Sequence, residues 1–324
     1  MSLAELAERQ RFRPWTNSPN SGVGGVLIEN SGDPSSDLTL LSLPECAVVA
    51  LDDAGVDEQL VDAVVPRGEV GVLGSLATSC PVAFASAALV TRATTRLDAP
   101  EGLFVESAAY SLLLTGPEFG EWLARNRSTE PKRGRHSSVV RVSRDNDQLR
   151  VVLDEPDRRN AYSRAMRDEL REALTVAVVD ESIERVIVTG SGTNFSSGGD
   201  LAEFGDAKSP IDAHLARTTD SVPRLLLTLA ARIGSELEFR VHGSNVGAGV
   251  ELAAFAGRVV AAPDSTFRLP EVSMGLIPGA GGTVSITRRI GRWRAVRMML
   301  TGMTIDARTA LEWGLVDEVR EWRS

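Results

Sequence analysis

Short apolar runs alternate with helically spaced apolar positions along the second half of the chain. Residues 139–142 and 149–153 are β-branched runs separated by a polar stretch, which predicts a β-hairpin. Apolar side chains recur at helical spacing over residues 163–179, and residues 185–189 have the pattern of a buried strand. Further strands are predicted at 239–241 and 258–262, and further helices at 247–255, 288–300 and 306–313. Strands that alternate with helices are typical of an α/β core.

The first half of the chain has a more helical pattern. Residues 48–51 predict a strand, and helices are predicted at 81–95, 100–114 and 118–126. The aromatic residues Phe104 and Tyr110 are interpreted as core packing. A polar stretch with Pro and Gly then predicts a linker. The predicted organisation is a partly helical N-terminal region (1–126), a linker (127–138) and a catalytic core (139–324).

Composition narrows the class of protein. Hydrophobic residues make up 43% of the 324 residues and charged residues 24%, as in soluble globular proteins. The net charge of −9 argues against a nucleic-acid partner, and the basic run at 132–135 is interpreted as solvated linker. Two cysteines and three histidines show no disulfide framework or metal-ligand spacing. We find no secretory signal or apolar run of membrane-spanning length, so we expect a cytoplasmic protein without a metal or membrane partner.

Two glycine-rich stretches carry candidate chemistry. Gly198 and Gly199 lead through Asp200 into residues 201–204, and residues 247–249 open a predicted helix. A turn that opens a helix presents free N–H groups, and two such groups aimed at one oxygen form an oxyanion hole. The plainer interpretation of the first stretch is a turn with Asp200 as a helix cap, and taken alone that interpretation is favoured.

Two glutamates, Glu251 and Glu271, change that balance. Glu251 lies among apolar neighbours, where a carboxylate is unfavourable unless it is paired or functional. Burial would raise its pKa towards the catalytic range. Glu271 precedes the glycine-rich run at 277–283. The plainer interpretations are an exposed or capping charge for Glu251 and close helix packing for residues 247–249. Two carboxylates beside an oxyanion hole instead predict acid–base chemistry on a thioester.

These motifs, in this order, resemble the crotonase (enoyl-CoA hydratase/isomerase) superfamily. The landmarks that carry the resemblance are residues 156–163, 195–204, 241–243, 247–253, 267–271, 275–283 and 310–317. The resemblance implies an α/β fold, a crotonase-like spiral of ββα units, with the helical region supplied by the N-terminal part. It implies an acyl-CoA thioester substrate, no separate cofactor because CoA is part of that substrate, and a homo-oligomer, either a trimer or a hexamer.

The resemblance also implies a role for particular residues. The backbone N–H groups of Gly199 and Ala248 match the oxyanion hole, and Glu251 and Glu271 match the two hydratase glutamates. The implied reaction is addition of water across the 2,3 double bond of a 2-enoyl-CoA, in which Glu251 takes a proton from water and Glu271 delivers one to C2. The residues implied to bind CoA are Arg158, Arg159, Ala161, Gly198, Asp200 and Leu201.

Two other functions stay open at this point. Double-bond isomerisation, or another enolate reaction in the same scaffold, could be served by Glu271 alone. A non-catalytic acyl-CoA-binding or scaffold protein is an alternative of a different class, against which the paired glutamates argue.

The two ends of the chain depart from the family pattern. Family members usually continue past the motif that ends here at Asp317 with helices that cover the acyl pocket. In this chain, a Pro-started helix near residue 81, a glutamate-bearing helix and an acidic helix at 118–126 follow a similar order. We consider two interpretations. Either the covering helices have moved to the N-terminus, with the linker as the new join, or residues 1–126 are an unrelated oligomerisation or partner-binding module.

Overall fold

The computed structural model describes residues 25–28, 46–52, 61–126 and 138–322. The basic run at 132–135 and all but the last residue of the predicted linker lie outside these ranges. The strands in the described ranges are β1 (Gly25–Ile28), β2 (Ala47–Leu51), β3 (Ala63–Val65), β4 (Val140–Asp145), β5 (Gln148–Leu153), β6 (Arg185–Gly190), β7 (Leu237–Val241), β8 (Ser244–Val246), β9 (Arg258–Ala261), β10 (Thr266–Arg268), β11 (Thr304–Asp306) and β12 (Glu318–Val319).

Helices fill most of the remaining described residues. They are α1 (Val70–Ser79), α2 (Pro81–Thr94), α3 (Ala99–Leu113), α4 (Pro117–Asn126), α5 (Arg164–Val179), α6 (Pro210–Thr218), α7 (Val222–Ile233), α8 (Ala248–Ala253), α9 (Gly282–Ile290), α10 (Arg292–Thr301) and α11 (Ala307–Trp313). No single helix in the described ranges is long and apolar enough to cross a membrane. The segments Arg67–Ser79 and Pro81–Thr94 meet that length and hydropathy only together, and they are bent by 107°.

A six-stranded sheet forms the centre of residues 138–322, in the order β12-β9-β7-β6-β5-β4. Strands β4 and β5 form the predicted antiparallel hairpin, in which Asp145 pairs with Gln148. The other neighbours are parallel, from β5 through β6, β7 and β9 to β12. Parallel strands are covered on both faces, which explains the continuous apolar runs of β6 and β9. The predicted α/β alternation is therefore confirmed in this part of the chain.

The predicted helix at 288–300 is wrong in its bounds. The structure has two helices, α9 and α10, with Gly291 between them. Gly291 has a φ of 79°, a left-handed value that ends α9. Helix α5 agrees with the helix predicted at 163–179. It begins after Ser163, whose side chain caps it by accepting a hydrogen bond from the Met166 N–H.

The helices predicted in the first half are confirmed as α2, α3 and α4. Tyr110 on α3 is buried, as predicted, but the prediction for Phe104 is wrong, since its side chain is 53% exposed. Helix α3 instead turns Leu103, Glu106 and Tyr110 towards the rest of the protein. A polar residue thus lies on the buried face of this helix, where an apolar one was expected.

A buried ion cluster ties the N-terminal region to the larger sheet domain. Asp62, directly before β3, is fully buried. Its carboxylate pairs with Arg92 on α2 and with Arg292 at the start of α10, where the Nη1 atom lies 3.1 Å from Oδ1. It also accepts a hydrogen bond of 2.7 Å from the Val48 N–H on β2. Buried charges persist when they are paired and hydrogen-bonded, so this cluster fixes how the two parts dock.

Candidate active site

A cavity of about 1240 Å³ is lined by residues from both parts of the chain. Helices α3 and α4 contribute Leu103, Glu106, Tyr110 and Trp122. Every residue predicted to act at the site also lines this cavity; these are Arg158, Arg159, Ala161, Gly198, Gly199, Asp200, Leu201, Ala248, Glu251 and Glu271. The structure therefore brings the whole predicted set together in one place.

The turn at residues 198–200 lies against the chain segment that enters α8. A Cβ atom on Gly198 would stand 2.6 Å from the Val246 carbonyl oxygen and 3.6 Å from the Gly247 Cα. The turn therefore lies against the residues that directly precede Ala248, the first residue of α8. In the described ranges, neither the Gly199 nor the Ala248 N–H donates a hydrogen bond to the protein. Both amides are therefore open to an external acceptor, as an oxyanion hole requires.

Gly247 lies beside both glutamates. Its φ of 49° and ψ of −119° are accessible to glycine alone at low cost. A Cβ atom here would stand 2.5 Å from Oε1 of Glu271 and 4.0 Å from Oε1 of Glu251. The two carboxyl groups therefore approach the same point beside the backbone that leads into Ala248. A side chain at this position would displace Glu271.

Glu251 is anchored by backbone amides. The residue is 2% exposed, on the first turn of α8. Its Oε2 atom accepts hydrogen bonds from the N–H groups of Ala280 and Gly282, at 2.7 and 2.9 Å. Burial raises the pKa of Glu251 to about 7, and these amides together with the nearby Arg217 charge oppose the rise. The group can therefore exchange a proton near neutral pH.

Glu271 has a different environment. It lies at the start of a short 3₁₀ helix, Glu271–Met274. Its Oε2 atom is buried, and no hydrogen-bond partner is found for it among the described residues. Burial, followed by the charge of Glu251, raises the pKa of Glu271 well above its ordinary value. Both carboxyl groups therefore bind a proton more tightly than an exposed glutamate does.

Asp200 caps the turn, as the plainer interpretation of this stretch predicted, and it also pairs with a cation. Its Oδ1 atom accepts a hydrogen bond of 3.0 Å from the Ala202 N–H and so caps the short 3₁₀ helix Leu201–Glu203. The same atom forms an ion pair of 2.7 Å with Arg158. The plain capping interpretation is correct for the turn itself. It does not conflict with the open amide of Gly199, which precedes the cap.

Arg159 is the more accessible of the two predicted CoA-binding arginines. Its backbone is left-handed, with a φ of 54°, and its carbonyl oxygen accepts a hydrogen bond of 2.9 Å from the Ser197 N–H. The side chain is exposed at the rim of the cavity, and in the described ranges it takes part in no ion pair or hydrogen bond. By contrast, the Arg158 guanidinium is held by Asp200. The Arg159 guanidinium is therefore available to an anionic ligand at this rim.

Among the cavity residues that were not predicted as site residues, Glu106, Arg217 and Tyr110 make specific contacts. Glu106 is 2% exposed and accepts hydrogen bonds from Gly281 and Thr283. The Arg217 guanidinium lies 4.0 Å from the Tyr110 ring centroid, and its Nε atom donates to the Gly279 carbonyl oxygen at 3.1 Å. The apolar neighbours that marked Glu251 also surround Glu106, so the same signal could have identified it. No motif marks Arg217, because its position depends on how α6 packs against α3.

Comparison with known proteins places residues 145–321 in the family described as enoyl-CoA hydratase/isomerase. A 2,3-dehydroadipyl-CoA hydratase from Escherichia coli (strain K12) is 38% identical over 182 residues, which cover 56% of this chain and 69% of the relative. A trans-2-decenoyl-[acyl-carrier-protein] isomerase from Streptococcus mutans serotype c is 30% identical over 178 residues, covering 55% of this chain and 67% of the relative.

Solved structures agree with this assignment. A proposed enoyl-CoA hydratase from Thermobifida fusca YX superposes with a TM-score of 0.50 at 28% identity, covering 56% of this chain and 72% of its own. The fold is therefore that of the crotonase superfamily, as the sequence motifs predicted. The matched family model, at residues 145–321, spans the residues that line the cavity from 157 onwards. The chain belongs to the enoyl-CoA hydratase/isomerase family and is an enzyme of the hydratase or isomerase type.

Proposed function

We propose that this protein adds water across the 2,3 double bond of a 2-enoyl-CoA thioester. The observation that carries the proposal is the pair of carboxyl groups, Glu251 and Glu271, which approach the same point beside Gly247 in one cavity. Beside them lie the open amides of Gly199 and Ala248. A thioester oxygen held by these amides would gain negative charge as water attacks C3. Donors aimed at such a charge each contribute about 2.7–4 kcal/mol to lowering the barrier.

The two glutamates have distinct roles in this reaction. The water oxygen forms a bond to C3 while Glu251 takes one of its protons, and the electron pair of the double bond moves to the thioester oxygen. The enolate then collapses, and C2 takes a proton from Glu271. The product is a 3-hydroxyacyl-CoA. Transfer of the proton from Glu251 to Glu271 then restores both groups to their starting protonation states. The raised pKa of Glu271 and the amide-anchored carboxylate of Glu251 support this division.

We also propose that the CoA moiety lies at the rim formed by residues 158–161 and 198–201. Support comes from the exposed Arg159 side chain and from the position of the whole segment on the cavity wall. An exposed guanidinium can bind a phosphate at modest cost in desolvation. The Gly199 amide lies in the same segment, so a bound CoA would deliver its thioester to the oxyanion hole.

Incubation of the full chain with crotonyl-CoA tests the reaction directly. The conjugated enoyl absorbance should fall, and the fall should depend on enzyme concentration. Binding of crotonyl-CoA without turnover would instead favour an acyl-CoA-binding or scaffold protein.

Isomerisation is the second candidate. The buried Oε2 atom of Glu271, for which we find no partner in the described ranges, could move a proton between C2 and C4 without a bound water. The relative from Streptococcus mutans carries an isomerase name. A 3-enoyl-CoA substrate separates the two reactions, because an isomerase would generate conjugated absorbance before any hydration.

We further propose that α2, α3 and α4 take the place of the covering helices that relatives carry after the catalytic core. The cavity wall includes residues of α3 and α4, and the match to the relatives leaves about a third of their length uncovered. Deletion of residues 1–126 should therefore yield insoluble or inactive protein, since it exposes the apolar faces of α9 and α10. A soluble, active remainder would favour an unrelated N-terminal module.

A homo-oligomer, either a trimer or a hexamer, is also proposed. Helices α3 and α6 pack together and expose four large apolar side chains, namely Phe104, Leu112, Ile211 and Leu215, which are 48–69% exposed. An apolar patch of this kind is typical of an interface between copies. Light scattering of the full chain would give the mass, and the double substitution Leu112→Ser and Ile211→Ser should reduce it. A monomeric wild-type protein would contradict the proposal.

A further inference from the structure

Two buried carboxylates share one glycine-rich loop. In residues 280–283, the N–H groups of Ala280 and Gly282 donate to Glu251 at 2.7 and 2.9 Å. The intervening Gly281 and the following Thr283 donate instead to Glu106, at 2.7 and 2.8 Å. Successive amides therefore alternate between a carboxylate of the core and a carboxylate of the N-terminal region. Any shift of the loop away from Glu106 would also change the geometry around Glu251.

Glu106 is held more firmly than a simple space-filling residue would be. It is 2% exposed and accepts a third hydrogen bond, of 2.7 Å, from the Thr283 hydroxyl group. Its three donors all come from the loop and from the first turn of α9. A buried carboxylate is costly unless its oxygen atoms are satisfied in this way. The arrangement fixes the loop to α3.

The space around the loop leaves little freedom for another arrangement. A Cβ atom on Gly279 would stand 2.4 Å from the Tyr110 ring, and one on Gly282 would stand 2.8 Å from the Glu251 Cγ. The loop is thus packed between α3 on one side and α8 on the other. The four alternating hydrogen bonds and the close packing link α3 to the loop and the loop to Glu251. The position of the Glu251 carboxylate therefore depends on the position of α3.

We propose that Glu106 is a positioning residue for the reaction of Glu251. Through the loop at 280–283 it orients the amides that hold the Glu251 carboxylate. This inference rests on the proposed function, in which Glu251 is the base. It assigns to the N-terminal region a part in catalysis, beyond covering the acyl pocket.

Charged and titratable groups from every neighbouring element bear on this cluster. Glu251 faces it from α8, Glu271 from the short 3₁₀ helix, Arg217 from α6 and Tyr110 from α3 itself. Burial, and then the charge of Glu251, raises the pKa of Glu106 to about 8, while the Thr283 and Gly281 donors oppose the rise. The Glu106 charge in turn raises the pKa of Glu271. Removing the charge of Glu106 should therefore make the other two carboxyl groups more acidic.

The test compares Glu106→Gln with Glu101→Gln, a matched control on the exposed side of the same helix. In Glu106→Gln, kcat for crotonyl-CoA should fall by about 10- to 100-fold, as expected when a reacting group is misplaced. KM should change little. Both limbs of the pH profile of kcat/KM should move to lower pH, by about one unit or less. Glu101→Gln should match the wild type. An unchanged pH profile and kcat in Glu106→Gln would overturn the inference.

A second variant and a second readout keep the two proposals separable. Thr283→Val removes one of the three donors to Glu106 and should lower kcat by a smaller factor, about 3-fold. This variant replaces Glu106→Gln in the test if Glu106→Gln does not fold. Carbon-13 NMR of glutamate-labelled protein, assigned with Glu251→Gln, reports the titration of Glu251 without any turnover. If the wild type fails to hydrate crotonyl-CoA, the proposed function fails, yet a lower Glu251 pKa in Glu106→Gln would still support the coupling. An identical titration in both proteins would overturn it.

Discussion

The 138–322 region and the 61–126 region both line one cavity. They differ in whether sequence motifs identify the residues that they contribute to it. The first carries glycine-rich motifs in a family order and matches known enzymes from residue 145 onwards. The family model does not extend to the second, yet this region supplies Glu106 and Tyr110 to the cavity wall. The difference teaches that sequence motifs mark only some of the groups that line the cavity. The residues that hold those groups in place can come from a part of the chain without any motif.

The largest expected effect lies in the first region. Glu251→Gln and Glu271→Gln should each lower kcat for crotonyl-CoA by about 10²–10⁴-fold, the usual contribution of a general acid or base. Gln keeps the size of the side chain, so KM should change far less. Steady-state kinetics check this, with Glu312→Gln, an exposed residue on α11, as the control. Hydration close to the wild-type rate in either variant would reject its assigned role.

The contact between the two regions provides the largest effect on stability. Asp62→Asn leaves Arg92 and Arg292 as buried charges without their carboxylate, which should lower the free energy of unfolding by about 3–5 kcal/mol. Urea unfolding of the full chain measures this. The exposed pair Arg308–Glu312 serves as a control, and its loss should cost about 0.5 kcal/mol or less. Equal effects at the two sites would show that the Asp62 cluster does not join the regions.

Alkaline pH should weaken the shared loop. The pKa of Glu106 is raised to about 8 in the folded protein, above the ordinary value of 4.5. The folded state therefore binds its proton more tightly than the unfolded chain does. The resulting stability is fully present below pH 4.5 and is lost as pH rises towards 8. Urea midpoints measured between pH 5 and 8.5 should fall with pH in the wild type and fall less in Glu106→Gln. Parallel curves would contradict this linkage.

The smallest expected effect concerns the rim of the first region. Arg159→Ala should weaken CoA binding by about 5-fold, because an exposed ion pair contributes about 1 kcal/mol at most. The measurement is calorimetry with CoA at two salt concentrations. The wild type should lose affinity as salt increases, and the variant should lose less. Equal affinity in the two proteins would move the CoA site away from this segment.

Local patterns in the sequence predicted β2, five strands of the six-stranded sheet and most of the helices, and the ten proposed site residues all line the cavity. The short strands β1, β3, β8, β10, β11 and β12 were not predicted. Other backbone or side-chain atoms approach positions 198, 199 and 247 too closely for a Cβ atom, so glycine is needed there. These required glycines form motifs that can be recognised in the sequence. Phe104 was misplaced because the apolar face of α3 was predicted without knowing that a polar face, with Glu106, turns inward. The contacts from Glu106 to residues 281–283 span more than 170 positions, and no local pattern contains such a pairing.

Mass analysis of the product tests the account most directly. The full chain is incubated with crotonyl-CoA in water enriched in oxygen-18, and the acyl product is analysed alongside those of Glu251→Gln and Glu271→Gln. The account predicts a 3-hydroxyacyl-CoA that has gained one labelled water, formed by the wild type and scarcely by either variant. A product of unchanged mass with a shifted double bond, or hydration that persists in both variants, would contradict it.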